Sequence, residues 1–178
     1  MSTQTETALS NGTSQKSAYV PTHPDAIRVE FQDGDYNSYA VASRPFQEGE
    51  IIATFEHATP SSVVRYSTVQ TGDDAHLELN SDLLYCNHSC DPSVEFHVNE
   101  TDLRKGYARA ARDIRQGEAL TFFYPSTEWH MAQPFACHCN TKKCLGTIAG
   151  AEMLSNEQLA PYFLNDHIAR RKAAQASS

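Results

Sequence analysis

The sequence lacks any apolar run approaching the roughly 18–20 residues of a membrane-spanning helix, so no membrane association is expected. It also lacks a surplus of positive charge: 14 Lys and Arg stand against 22 Asp and Glu, a formal net charge of −8. Nucleic-acid binding leans on excess positive charge to meet phosphates, so direct nucleic-acid binding is not expected. The same acidity suits a basic peptide. The first twenty residues, Met1 to Val20, are Ser-, Thr- and Gln-rich and lack the apolar stretch of a secretory signal. What remains is a chain of 178 residues, 40% hydrophobic and 20% charged, enough for one soluble domain with a core of its own.

Cysteine is sparse and odd in number, five in all, and its placement says more than its count. Without a secretory signal the expected location is cytoplasmic or nuclear, where structural disulfides are disfavoured. Cys137-His138-Cys139 and Cys144 form a C-x-C-x4-C cluster, which in that compartment reads as three metal ligands. Zinc favours four tetrahedral thiolate or imidazole ligands. Cys90 is the best candidate for the fourth; His138 is a substitute whose side chain would point away from the neighbouring thiolates. Lys142 and Lys143 would partly offset the charge of the site, and Cys86 reads as a buried apolar residue.

Residues 1–25 carry almost no large apolar side chains and are expected to form a disordered tail. From Ala26 the pattern turns to short strands. Ile27, Val29 and Phe31 alternate with polar residues as a half-buried strand does. Strands are expected next at residues 39–42 and 51–55, with turns at Asp33-Gly34-Asp35 and Gln47-Glu48-Gly49-Glu50, then at 62–68, 77–79, 94–98, 106–110 and 119–123. Towards the C-terminus, Ser155 and Gln158 fit a capping box. Leu159, Phe163, Leu164 and Ile168 recur at helical spacing, and Pro161 places a short turn first and the start of the helix at Pro161. The fold class is mainly β with short helices. Trp129 and Phe135 are expected to fold the cysteine segment against the body and to cover a ligand. His57, His76, His97 and His130 read as surface or satisfied histidines, and Asp73-Asp74 as a solvated turn.

Asn87-His88-Ser89-Cys90-Asp91-Pro92 gives N-H-S-C-x-P, Gly117 to Tyr124 gives G-E-x-L-T-x-x-Y, and the cysteine cluster follows. Together, over roughly residues 27–150, they resemble the SET domain with its post-SET zinc segment. The resemblance implies a β-clip-like fold in which these two motifs cross as a pseudoknot. It divides the chain into a SET domain at 26–128, a post-SET zinc segment at 129–150, and a C-terminal helix and tail at 151–178. It implies Zn2+ on Cys90, Cys137, Cys139 and Cys144, and S-adenosyl-L-methionine as cofactor. Asn87 would hold the amino-acid end of the cofactor, the His88 backbone would meet its adenine, and Tyr124 would be catalytic.

The family's G-x-G motif corresponds here to Asn37-Ser38-Tyr39, which puts Asn37 and Tyr39 at the cofactor. Asn37 tolerates the left-handed backbone a glycine would take; Tyr39 brings a large side chain. Leu84, Ser93, Phe123 and Asn140 stand where the family has arginine, asparagine, an acidic residue and glycine. Phe46 to Ala53 looks like the strand before the variable insert, and the insert between Phe55 and Asn80 is short. Phe122, Phe123 and Tyr85 are candidates for the walls of the substrate channel.

Methyl transfer from a sulfonium to an amine needs in-line approach and a neutral nucleophile, so positioning supplies much of the acceleration. The expectation is a small methyltransferase that uses S-adenosylmethionine on a lysine amine of a basic peptide or protein. Tyr39, Leu84 and Phe123 would make the pocket more apolar, which leaves a second reading, action on an apolar small molecule. A third is a catalytically silent binding module.

Overall fold

Strand β1 (Ile27–Glu30) pairs antiparallel with β2 (Tyr39–Ala42) in the computed structural model, which describes residues 19–34 and 36–177. Ile27 and Val29 are buried and Arg28 is exposed, the alternation a pleated strand imposes. The connecting loop holds Gly34 at φ +97° and Tyr36 at φ +61°. Asn37 donates through Nδ2 to the Asp33 carbonyl at 2.7 Å. The left-handed non-glycine residue is therefore Tyr36 and not Asn37, whose side chain closes the loop instead.

The central sheet runs in the order β3 (Ile51–Thr54), β9 (Tyr107–Ala110), β8 (Val94–His97), β10 (Thr121–Phe122), β7 (Asn87–His88). Strand β10 lies between β7 and β8 and is parallel to both, with Thr121 opposite Asn87 and Phe122 opposite His88 and Val94. Ser93 pins this insertion: its hydroxyl donates to the Ala119 carbonyl at 2.9 Å and accepts from Thr121 N–H at 3.0 Å. Beneath the sheet, Phe55, Phe96, Leu83, Ile114 and Leu120 are fully buried, and Phe96 stacks on Phe122 at 4.0 Å. Burial of such side chains contributes about 1.5–3 kcal/mol each before entropy is subtracted.

The insert folds as a small sheet ordered β4 (Thr59–Ser61), β6 (His76–Glu78), β5 (Thr68–Gln70). The strand expected at 62–68 is a turn in residues 62–67. The Ser61 hydroxyl donates to the Val63 carbonyl at 2.8 Å and the Thr68 hydroxyl to the Arg65 carbonyl at 2.9 Å. Such local side-chain bonds offer the backbone an alternative to a ladder.

Both ends differ from expectation. Residues 1–18 of the expected tail lie outside the described residues, but within Tyr19 to Asp25 the residues Tyr19, Thr22 and His23 dock on the domain while Val20 stays exposed. The Tyr19 hydroxyl donates to Asp82 Oδ1 at 2.6 Å, and the Thr22 and His23 N–H groups to Asp82 Oδ2 at 3.0 and 2.7 Å. The tail boundary at residue 25 is corrected accordingly: a polar segment docks on one fully buried carboxylate, which apolar content alone does not reveal. At the other end the Ser155/Gln158 capping box opens helix α1 (Asn156–Leu159) as expected. The long helix α2 (Asp166–Ala176), however, begins after Asn165 and not at Pro161. Asn165, buried, donates to the carbonyls of Phe96 and Ser126 at 2.8 and 3.0 Å and accepts from Val98 N–H at 2.9 Å. These tertiary bonds hold Asn165 extended and set the helix start. Among the described residues no helix is long and apolar enough to cross a membrane.

Candidate active site and metal centre

Tyr124 follows β10 after one intervening residue, Phe123, and opens a single 3-10 turn, Tyr124–Ser126, with Pro125 in its first positions. Its backbone N–H donates to His88 Nδ1 at 3.2 Å, and its hydroxyl donates to the Cys86 carbonyl at 3.4 Å. Its ring meets the His88 ring edge-on at 5.2 Å, and the Phe135 ring lies 5.8 Å from His88. Burial pushes the Tyr124 hydroxyl pKa up, so it stays a neutral donor. Burial likewise pushes the His88 imidazole down to about 4. A neutral ring that accepts at Nδ1 carries its proton on Nε2, which lies 3.3 Å from the Cys90 sulfur. The sequence assigned a role to the His88 backbone only; its side chain joins the tyrosine to the cysteine cluster.

The other residues expected at the cofactor divide. Asn87 Nδ2 donates to the Ser38 carbonyl at 3.1 Å, which joins β7 to the loop that replaces G-x-G. Among the described residues nothing donates to Asn87 Oδ1, leaving an acceptor suited to an ammonium group. Tyr39 is half-buried and paired with Glu30. Asn37 is exposed, with its amide engaged inside its own loop. Phe135, on β11 (Phe135–Ala136) paired with β12 (Thr147–Ile148), sits at the His88 ring. Trp129 is placed differently: it is buried with Ala151, Leu154, Leu159 and Ile168, and the Arg171 guanidinium lies 5.5 Å from its ring centre. It anchors the C-terminal segment rather than the His88 ring group.

The expected apolar lining divides as well. Phe123 is buried, its ring centre 5.7 Å from that of His88 and stacked on Tyr162 at 3.7 Å, whereas Leu84 is exposed at the surface, which corrects its place in the lining. Tyr85 turns towards Phe31 and Tyr19, with ring centres 5.5 and 6.0 Å away.

The sulfurs of Cys90, Cys137, Cys139 and Cys144 all lie within 4.8 Å of one another. Cys90 and Cys137 are 3.9 Å apart. Zinc–sulfur bonds of about 2.3 Å at tetrahedral angles put sulfurs about 3.8 Å apart, so the four thiols fit one zinc ion. Leu145 N–H points at the Cys90 sulfur at 3.4 Å and eases negative charge there, while Lys143 pairs with Asp91 at 2.8 Å. The loop turns through Asn140 at φ +55°, where asparagine replaces the expected glycine. His138 stays outside the group, and Cys86 is buried as a small apolar residue, its thiol pushed up by burial.

One acid had no sequence signal. Glu128 is 8% exposed, and its Oε1 accepts from Gln70 N–H of β5 at 2.8 Å and from the Thr127 hydroxyl at 3.1 Å. The Gln70 side chain in turn accepts from Trp129 N–H at 2.8 Å. Burial pushes the Glu128 carboxyl up to about 7.

The family model described as "SET domain" matches residues 37–125. The methyltransferase flvH of Aspergillus flavus is 40% identical over 148 residues, covering 83% of this chain and 82% of its own length. A histone-lysine N-methyltransferase, H3 lysine-36 specific, of Yarrowia lipolytica is 41% identical over 68 residues, 37% of this chain and 9% of that protein. Among solved structures, KRYPTONITE in complex with mCHG DNA and SAH superposes with a TM-score of 0.53 at 16% identity, covering 68% of this chain and 29% of that one. Family match, near full-length relative and shared fold lead to one conclusion: this chain belongs to the SET-domain family of methyltransferases.

Proposed function

We propose that the protein transfers a methyl group from S-adenosylmethionine to a basic amine, with the lysine side chain of a basic peptide or protein as the acceptor class. The observation that carries this reading is the insertion of β10 between β7 and β8, which sets Tyr124 against His88 and Thr121 opposite Asn87. Bound at that junction, S-adenosylmethionine would supply the electrophilic methyl group. Asn87 Oδ1 and the backbone of His88 would hold it, with Asn37, Tyr39 and Phe135 around it. The Tyr124 hydroxyl, kept protonated and braced on the Cys86 carbonyl, would orient the attacking nitrogen and offer a fixed dipole to the shifting charge. One Zn2+ on Cys90, Cys137, Cys139 and Cys144 would fasten residues 129–150 over this junction, a structural role that suits a closed set of four thiolates. The expected setting is cytoplasmic or nuclear.

A second reading, a small-molecule acceptor, has one observation in its favour. The relative matched along most of its length is named a methyltransferase without mention of histone, whereas the histone-named relative shares only 68 residues. Calorimetry with S-adenosylmethionine tests the cofactor, and methyl transfer from labelled cofactor to a lysine peptide and to free L-lysine separates the acceptors. Absence of cofactor binding overturns methyl transfer to either acceptor and favours action on an apolar small molecule without this cofactor.

A further inference from the structure

Glu128 is a buried carboxylate without a positive partner. Among the described residues no Lys, Arg or His forms an ion pair with it, and both of its hydrogen bonds go to Oε1. Among the described residues its Oε2 meets no donor, yet it is not among the polar atoms sealed from solvent. Buried charges are ordinarily paired, and one left unpaired is disfavoured unless a counter-ion arrives from outside.

Its position gives that vacancy a direction. The Glu128 N–H donates to the Tyr124 carbonyl at 3.0 Å, and the Thr127 hydroxyl oxygen lies 3.2 Å from the same carbonyl oxygen. The carboxyl therefore sits one turn beyond the tyrosine, and its charge is felt at the Tyr124 hydroxyl. Gln70 braces it from the opposite side, on the insert. Two independent segments thus fix Oε1 and leave Oε2 without a donor among the described residues, one turn beyond Tyr124.

We propose that Glu128 is the specificity-determining residue for a cationic acceptor, its free Oε2 receiving the ammonium group of the substrate amine beside Tyr124. This inference rests on the methyl-transfer reading for its purpose but not for its test. An isolated buried carboxyl that holds its proton up to about pH 7 is half-ionised near neutrality, and an arriving cation stabilises the ionised form. A neutral alcohol gains nothing comparable. Charge is therefore the basis of selection.

The full chain is titrated with n-butylammonium chloride, with n-butanol as the neutral control of equal length, while the carbon-13 carboxyl resonance of Glu128 is followed by NMR. The expected result is saturable binding of the ammonium, no binding of the alcohol, and a fall in the apparent Glu128 pKa as the ammonium saturates. Glu128→Gln should weaken n-butylammonium binding by roughly tenfold to a hundredfold, the loss of one charge-assisted hydrogen bond. Its S-adenosylmethionine affinity should match wild type. Equal binding of ammonium and alcohol, no binding of the ammonium, or an unshifted Glu128 carboxyl in wild type would each overturn the proposal without recourse to a variant. Wild type that binds n-butylammonium through Glu128 but not S-adenosylmethionine would leave this cation site standing and remove the methyltransferase reading.

Discussion

The hydroxyl of Tyr162 donates to the carbonyl of Cys90 at 2.7 Å, across 72 residues of sequence, while its ring stacks on Phe123 at 3.7 Å. A single side chain from the C-terminal segment thus holds the N-H-S-C motif and the strand leading to Tyr124 in one place. Tyr162→Phe should keep the stacking and lose one hydrogen bond, lowering stability by about 1 kcal/mol in urea unfolding. Tyr162→Ala should cost several times more, because the stack on Phe123 goes as well.

Tyr124→Phe keeps the ring packed on His88 and Phe122 and removes one hydroxyl. Turnover should fall by about 10²–10³, the effect typical of losing one preorganised transition-state donor. Cofactor affinity should change little. Asn87→Ala, which breaks the bond to Ser38, should do the reverse and weaken S-adenosylmethionine binding first. Turnover and cofactor affinity measured separately for both variants check the pair.

Metal analysis of purified protein should give one zinc per chain. Cys144→Ser, or chelation, should loosen residues 129–150 before the central sheet, visible as faster amide exchange at Phe135 to Ile148. The coupling is expected because Cys90 and Ile148 are buried in the same cluster as Cys137.

Removal of residues 1–25 should lower the melting temperature by several degrees. The truncation leaves Asp82 buried without the donors of Tyr19, Thr22 and His23. An unsatisfied buried charged group costs more than about 1–3 kcal/mol. Asp82→Ala in the full chain should expose the same segment to proteolysis near Val20.

Stability as a function of pH should carry the signature of Glu128. Its folded pKa, about 7, is raised above the ordinary 4.5, so the native state holds the proton where the unfolded chain has lost it. Its stabilising contribution is full at low pH and is lost as pH rises from about 4.5 to about 7, by up to roughly 3 kcal/mol. Glu128→Gln cannot titrate, so the wild-type-minus-variant stability should fall through that window and level off above it. Chemical denaturation at pH 5 and pH 8 reads the difference.

What could be read from the sequence was local or carried by motif. The alternation of Ile27 and Val29 gave β1, and Ser155 with Gln158 gave the start of α1, because a strand's period and a helix cap are decided by neighbours in sequence. The spacing of Cys137, Cys139 and Cys144, with the motif containing Cys90, identified four sulfurs that the fold does bring together. Composition, by contrast, misplaced Tyr19 to Asp25, since their docking depends on one distant buried carboxylate. Periodicity misplaced the start of α2, because Asn165 is held extended by bonds to Phe96, Val98 and Ser126.

The active-site details belonged to tertiary structure for the same reason. The sequence by itself determined the class of strands, the family motifs and the cysteine cluster, each carried by short segments. Only the folded chain decided that the His88 ring accepts from Tyr124 N–H, that Trp129 anchors the C-terminal segment, and that Phe123 stacks on Tyr162. Only the folded chain buries Glu128 without an ion pair among the described residues. Burial, and with it a pKa near 7, depends on which distant segments close over a side chain, and no local pattern around Ser126-Thr127-Glu128 encodes that.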